Sequence, residues 1–282
     1  MIIIDLSQIM VSNLMTQIDN KTVTVEEDLL RHMILNCLRT YVKRFKSEYG
    51  DVIIACDSRK YWRKDIFPYY KANRKKNRES MGLDWNSIFT SFNKIKGELK
   101  TYFPYRCIEI EGAEADDIIG TLVETYANTG EKFLIVSGDK DFIQLQVHMN
   151  VKQYDPIKKK FLESNDPAKY MKEHIMRGDT GDGVPNFLSP DDCIVLGKRQ
   201  TSVMKKKLDF WVTKEPEEFC DSNMLRNYCR NKQLIDLSMT PVPIKEKIVE
   251  DYNSQSDKPR NMLMTYFIEM KLKNLLETIG DF

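Results

Sequence analysis

Three short, continuously apolar runs frame this chain: Met-Ile-Ile-Ile-Asp-Leu at 1–6, Asp-Val-Ile-Ile-Ala-Cys-Asp at 51–57 and Lys-Phe-Leu-Ile-Val-Ser at 132–137. Runs of that length without alternation suit strands buried on both faces. Residues 103–110 and 151–155 read as two further strands, the last at a sheet edge. Between them, apolar residues recur at helical spacing. Leu29, Met33, Leu38, Val42 and Phe45 do so within 24–48, and Trp85, Ile88, Phe92, Ile95 and Leu99 within 84–102; Glu114 to Asn128 reads as another helix. Alternating strands and helices predict an α/β fold with a mostly parallel central sheet flanked by helices. After about residue 168 the strand signals fade and helical stretches joined by Gly, Pro and Asn take over. Two parts are therefore expected: an α/β domain over 1–168 and a smaller α-helical region over 169–282.

Composition narrows the picture. A formal net charge of +1 hides a segregation of acid to strand ends and base to one stretch. Six cysteines show no CxxC pair and no partner among the three histidines at zinc spacing, so neither structural zinc nor a disulfide framework is expected. That usage fits a reducing cytoplasm. The N-terminus lacks the basic region and cleavage site of a signal peptide, and no apolar run is long enough to span a bilayer, so no membrane association is expected.

Nine carboxylates fall in five clusters, mostly where strands should end. They are Asp5, Asp57, Glu114–Asp116–Asp117, Asp139–Asp141 and Asp179–Asp182. Ligands at the C-terminal ends of parallel strands converge, so these residues are expected to share one pocket. Hard oxygen donors gathered without His or Cys suit Mg²⁺ or Mn²⁺, and paired ions of that kind break phosphodiester bonds. Any one cluster also reads as an Asx-turn or a helix cap; five in order do not.

Residues 59–78 carry nine Lys or Arg, one acid and five aromatics. Cations that follow phosphates and rings that stack on bases suit single-stranded nucleic acid; a solvated charged loop is the alternative. Lys75, Lys76 and Arg78 are candidate phosphate contacts in this stretch. Because it follows the strand that ends at Asp57, it is expected to arch over the acidic pocket, across about 59–82.

The ordered series Asp5, Asp57, Glu114-Ala-Asp116-Asp117, Asp139-Lys-Asp141 and Asp179-x-x-Asp182 resembles the motifs of the structure-specific 5′-nucleases. That family includes flap endonucleases, the 5′-nuclease domain of bacterial DNA polymerase I and phage 5′-exonucleases. Arg63-x4-Pro68-x-Tyr70-Lys71-x2-Arg74 resembles their helical-arch motif. Tyr-Trp-Arg-Lys-Asp (61–65), Tyr-Tyr-Lys-Ala-Asn-Arg (69–74), Asn150-Val-Lys-Gln-Tyr154 and the last nine residues look most like the ribonuclease H type of T-even phages. The resemblance spans nearly the whole chain and implies a PIN-like 5′-nuclease fold. The implied activity is a Mg²⁺-dependent 5′-3′ nuclease on RNA–DNA hybrids and on DNA duplexes or flaps, with primer removal in phage replication as its task. A PIN-like single-strand ribonuclease and a non-catalytic nucleic-acid-binding protein are the alternatives.

By position, the resemblance assigns Asp5, Asp57, Glu114 and Asp116 to a first metal. Asp139, Asp141, Asp179 and Asp182 go to a second, with Asp139 close to both and Asp117 matched without a clear role. Lys71 and Arg74 would contact the scissile phosphate, Tyr70 would stack on the adjacent base, and Arg63 would position the nucleic-acid backbone. The chain departs from the family where a Gly-x-Gly-x-Lys-like helix–hairpin–helix turn should follow the last Asp and Gly183-Val-Pro-Asn-Phe-Leu-Ser-Pro-Asp-Asp192 stands instead. Lys198, Arg199 and Lys205–Lys207 are then candidates for the duplex contact, or a solvated face. Single-stranded-DNA-binding protein and a sliding clamp are implied partners of a monomer. Leu275 to Phe282 reads as a clamp-docking tail or, with Leu272, Leu275, Leu276 and Ile279 on one face, as a terminal core helix; the second fits better.

Overall fold

Each apolar run becomes a strand. In the computed structural model, which describes residues 1–18, 25–255 and 260–282, Ile2–Asp5 is strand β1 and passes directly into helix α1, Leu6–Gln17. Then come α2 (Glu27–Tyr49), β2 (Val52–Ala55), two short helices α3 (Arg63–Ile66) and α4 (Asn73–Glu79), α5 (Trp85–Tyr102), β3 (Arg106–Ile108), α6 (Ala115–Tyr126) and β4 (Phe133–Val136). A 3-10 segment, Lys140–Val147, leads to β5 (Val151–Asp155) and β6 (Lys160–Leu162). The rest is helical: α7 (Pro167–Arg177), α8 (Lys205–Trp211), α9 (Ser222–Ile235), α10 (Val242–Ser254), α11 (Asn261–Glu269) and α12 (Lys273–Leu276).

The sheet order is β3-β2-β1-β4-β5-β6, parallel except for β5–β6. The chain builds outward from β1 to β3, then returns to the other flank of β1 with β4. The crevice beyond the ends of β1 and β4 is thus the switch point at which such sheets bind ligands. Alternation sends Ile2, Ile4, Ile54 and Val136 to one face, under α1, α2, α5 and α11, and Ile3, Ile53, Ile108 and Ile135 to the other, under α6 and α10.

Three sequence expectations change. β5 is not an edge strand, because β6 pairs with it antiparallel, and Gln153 at its centre is fully buried. Neither three-residue β6 nor α1 was expected; β6 is too short to show a period. In α2, whose expected start at residue 24 lies outside the described residues, the buried stripe runs through Leu30, Ile34, Leu35 and Leu38, while Leu29 faces solvent. Adjacent apolar residues at 29–30 and 33–35 make the helical phase ambiguous by one position.

A third core lies beside the sheet. Phe67 and Tyr70 pack there with Ile175, Met176, Phe187, Leu208, Tyr228 and Ile235. The rings of the basic stretch thus join it to the C-terminal helices; Trp62, Phe67 and Tyr70 are buried. The last residues return to the sheet. Leu272, Leu275 and Phe282 are buried, Leu276 and Ile279 pack against the same core, and Asp281 pairs with Arg39 and Lys43 on α2. The terminal segment is therefore core, which removes the docking-tail reading. Among the described residues, no helix is long and apolar enough to cross a membrane.

Candidate metal centre

Asp5 ends β1 and caps α1, accepting from Gln8 N at 3.1 Å through one oxygen and from Ser137 Oγ at 3.1 Å through the other. Asp57, just beyond β2, accepts from Ala115 N at 2.8 Å at the start of α6. Glu114 is the N-cap of that helix and Asp116 lies in its first turn. Asp139 follows β4 and accepts from Asp141 N at 3.0 Å. Beneath it, Gln153 donates to the carbonyls of Ser137 at 2.9 Å and Asp139 at 2.5 Å, fixing the loop on β5.

The Asp179–Asp182 loop rests on two glycines. Gly178 has φ +67, and a Cβ there would lie 2.4 Å from Val184 O; Gly183 has φ +77, and a Cβ would lie 2.8 Å from Tyr69 O. Only glycine fits such positions, and the second brings the loop against the basic stretch. There Lys71, itself at φ 55, donates its backbone N–H to Asp182 O at 2.7 Å.

These carboxylates perturb each other. Burial, then Asp57 and Asp139, push Asp5 up to about 7. Burial, then Asp139, Glu114 and Asp5, push Asp116 well above the carboxylate range. Asp139, more open to solvent, is pushed up to about 6 by partial burial and Asp141. Asp179 is raised by burial, Asp182 and Asp141. Asp182 alone goes the other way: burial raises it, but Lys71 and Arg74 outweigh that and hold it low. So many raised carboxylates in one crevice are the signature of a site built for cations.

Lys71 is the protein's own cation there. Its Nζ bonds Glu114 Oε1 and lies 3.4 Å from Asp182 Oδ2, bridging the α6 and Asp179–Asp182 clusters. Arg74 pairs with Asp182 at 2.6 Å and stays half exposed. Lys75, Lys76, Lys198 and Arg199 are exposed, and Arg78 lies over the Phe89 ring. A cavity of about 690 Å³ opens beside this edge, lined by Met10, Trp85 and Phe89 together with Asp57, Lys71, Arg74 and Arg78.

Three expected site residues face inward instead. Asp117 is fully buried and committed to Arg63 at 2.9 Å, Trp62 Nε1 at 3.1 Å, Thr240 Oγ1 at 2.8 Å and the backbone N–H of Glu114 at 2.8 Å. It is the reciprocal member of a capping box, which leaves it no free oxygen for a metal. Arg63 is buried against Asp117, Glu114 and Leu234 O, so it reaches no nucleic acid. Tyr70 is buried to 3% exposure, its hydroxyl donating between Glu114 Oε2 at 3.0 Å and Asp182 Oδ2 at 2.9 Å; its ring offers no face to a base. All three carry the carboxylates from below rather than the substrate from above.

One residue was not expected. His174 on α7 brings Nε2 within 3.2 Å of Asp141 Oδ1 and 3.9 Å of Asp179 Oδ2. Burial alone would lower its pKa, but Asp141, Asp179 and Asp139 raise it. It stands five residues before Asp179 in sequence, a spacing that becomes informative only once α7 is seen to run back along Lys140–Val147.

Comparison with known proteins gives two family matches: the 5'-3' exonuclease, N-terminal resolvase-like domain over residues 1–175, and the C-terminal region of T4 RNase H over 167–282. A ribonuclease H of Enterobacteria phage T4 is 34% identical over 291 residues, covering 99% of this chain and 95% of that one. A DNA polymerase I of Rhizobium leguminosarum is 39% identical over 138 residues, 46% of this chain and 13% of that one. The crystal structure of the bacteriophage T5 flap endonuclease with DNA and metal ions superposes with a TM-score of 0.60 at 16% identity, over 89% of this chain and 96% of that one.

Proposed function

Because the chain belongs to the 5′-3′ exonuclease family, and over its C-terminal part to the T4-type ribonucleases H, we propose that it removes RNA primers, with adjoining DNA, from the 5′ ends of lagging-strand fragments. Its substrates are then RNA–DNA hybrids and DNA duplexes with a 5′ end or flap, and its cofactor is a pair of Mg²⁺ ions, with Mn²⁺ able to substitute. The reading is supported above all by one observation: Asp5, Asp116 and Asp139 sit together at the switch point, each with its pKa raised by burial and by neighbouring carboxylates, beside the ion pairs of Lys71 and Arg74. Divalent ions held there supply Lewis acidity and lower the pKa of an attacking water.

The first group of donors is Asp5, Asp57, Glu114 and Asp116; the second is Asp141, Asp179 and Asp182, with Asp139 between them. Lys71 and Arg74, paired here with Glu114 and Asp182, would be freed where those oxygens held cations, and would then face the phosphate and neutralise the charge that builds on its non-bridging oxygens. Trp85 and Phe89, in place of Tyr70, give the cavity its ring surface for a base. Lys75, Lys76 and Arg78 on one side, and Lys198 and Arg199 on the other, follow the phosphates of the strand and the flanking duplex. Within the helical region from about residue 169 onward, α7, α8 and α9, which build the third core with the basic stretch, hold that duplex, while α10 and α11 cover the sheet. Such contacts read structure and not sequence. The protein would act as a monomer in the host cytoplasm, alongside a single-stranded-DNA-binding protein and a sliding clamp.

The test is cleavage of a 5′-labelled RNA–DNA hybrid and a 5′-labelled DNA flap, with Mg²⁺ and then with EDTA. Short 5′-terminal products from both, lost in EDTA, are expected. Binding without cleavage in Mg²⁺ would reject the assignment.

A further inference from the structure

The second group of donors contains a nitrogen. Asp141 and Asp179 present oxygens on one side of the crevice, and His174 presents Nε2 between them; one ligand atom from each lies within 4.8 Å of the other two. That nitrogen is shielded from solvent, yet it makes no hydrogen bond of sound geometry with either carboxylate. The imidazole is held in place from behind. Tyr170, one turn earlier on α7, stacks on it with centroids 5.9 Å apart and planes at 21°. A nitrogen shielded from solvent and left without a well-formed hydrogen bond is uncommon, and this one is fixed toward two carboxylates.

Imidazole is a poor ligand for Mg²⁺, which prefers oxygen and water, and a good one for first-row transition ions. We propose that His174 is a direct ligand of the second cation position, so that this position takes Mn²⁺ in preference to Mg²⁺ while the all-carboxylate position does not discriminate in this way. The inference rests on the two-cation reading above and deepens it: the two positions differ in chemistry, and the Asp141–His174–Asp179 set makes them differ.

The test uses the full chain loaded with Mn²⁺, compared with His174→Ala and His174→Gln. Pulsed electron paramagnetic resonance of the Mn²⁺-loaded protein is expected to show coupling to an imidazole nitrogen, lost in both variants. Calorimetric titration is expected to show Mn²⁺ affinity at one of two positions falling at least about tenfold, a loss that even an outer-shell change can produce, while Mg²⁺ affinity moves far less. Two bound Mn²⁺ ions without nitrogen coupling in the unsubstituted protein would overturn the inference and leave the two-cation reading standing. An equal loss of Mg²⁺ and Mn²⁺ affinity in the variants would overturn the claimed selectivity. No bound divalent ion in any of the proteins would overturn both. The coupling measurement on the unsubstituted chain decides the matter even where a substitution disturbs folding.

Discussion

Without divalent ions, this protein should become less stable as pH rises from 5 to 8, opposite to the acid lability that paired carboxylates usually confer. Asp5 carries a share of the effect that can be worked out. Its pKa is raised from 3.8 to about 7, because it is buried beside Asp57 and Asp139. A group whose folded pKa exceeds its unfolded one stabilises the fold while protonated, and that contribution disappears as pH climbs through the folded value. At pH 5 the unfolded Asp5 is already ionised and the folded one is not. Each pH unit up to about 7 then costs about 1.4 kcal/mol, or about 3 kcal/mol across the window. Asp116, Asp179 and His174 are raised as well and act in the same direction. Asp182 and Glu27 are lowered, so their contribution disappears only in acid, outside this window. Urea denaturation in EDTA at pH 5, 6, 7 and 8 measures the slope. Saturating Mg²⁺ should flatten or reverse it, because ions that bind only the folded state stabilise it by mass action. Asp5→Asn cannot ionise and should make the metal-free slope shallower by about 1.4 kcal/mol per pH unit below pH 7. A flat profile in EDTA, or the same slope in Asp5→Asn, would refute the reasoning.

Other substitutions separate chemistry from scaffolding. Lys71→Ala should slow single-turnover cleavage of a labelled flap by about 100- to 1,000-fold, the scale of one lost charge-stabilising donor. Asp139→Asn should abolish cleavage while a mobility-shift assay still finds the substrate bound. Arg63→Met leaves Asp117 and Glu114 buried without their guanidinium, and should cost about 3–5 kcal/mol in a denaturant titration. Phe282→Ala opens a hole against Phe103 and Phe267, and should cost about 3–5 kcal/mol by the same assay.

The sheet was legible because its strands are buried on both faces and read as unbroken apolar runs. The site was legible for a related reason: parallel strands deliver their ends to one edge, so Asp5, Asp57 and Asp139 had to meet. What the residues concealed was direction. Arg63, Tyr70 and Asp117 carry the right chemical groups in the right motif, but a linear pattern does not say whether a side chain points up at a ligand or down into a core. The five rings of the basic stretch suggested base stacking, but Phe67 and Tyr70 instead anchor the stretch to the C-terminal helices, and Trp62 anchors it to Asp117 on α6. His174 was concealed by distance, since it meets Asp141 only through the packing of α7 on Lys140–Val147. The edge position of β5 failed because β6 has only three residues, too few for a periodicity.

The hydrogen bond from Lys71 N to Asp182 O ties two halves of the crevice by their main chains. On the proposed reading, a phosphate gripped by Lys71 and an ion seated on Asp182 could not move independently. Thermodynamic reciprocity then requires that whatever factor the ion adds to the grip on nucleic acid, the nucleic acid adds to the grip on the ion. A product shortened so that it engaged only one half would give up that shared gain. Departure of product and exchange of ions would then be one event, and turnover should answer to cation concentration even where the intact substrate already holds the ions fast.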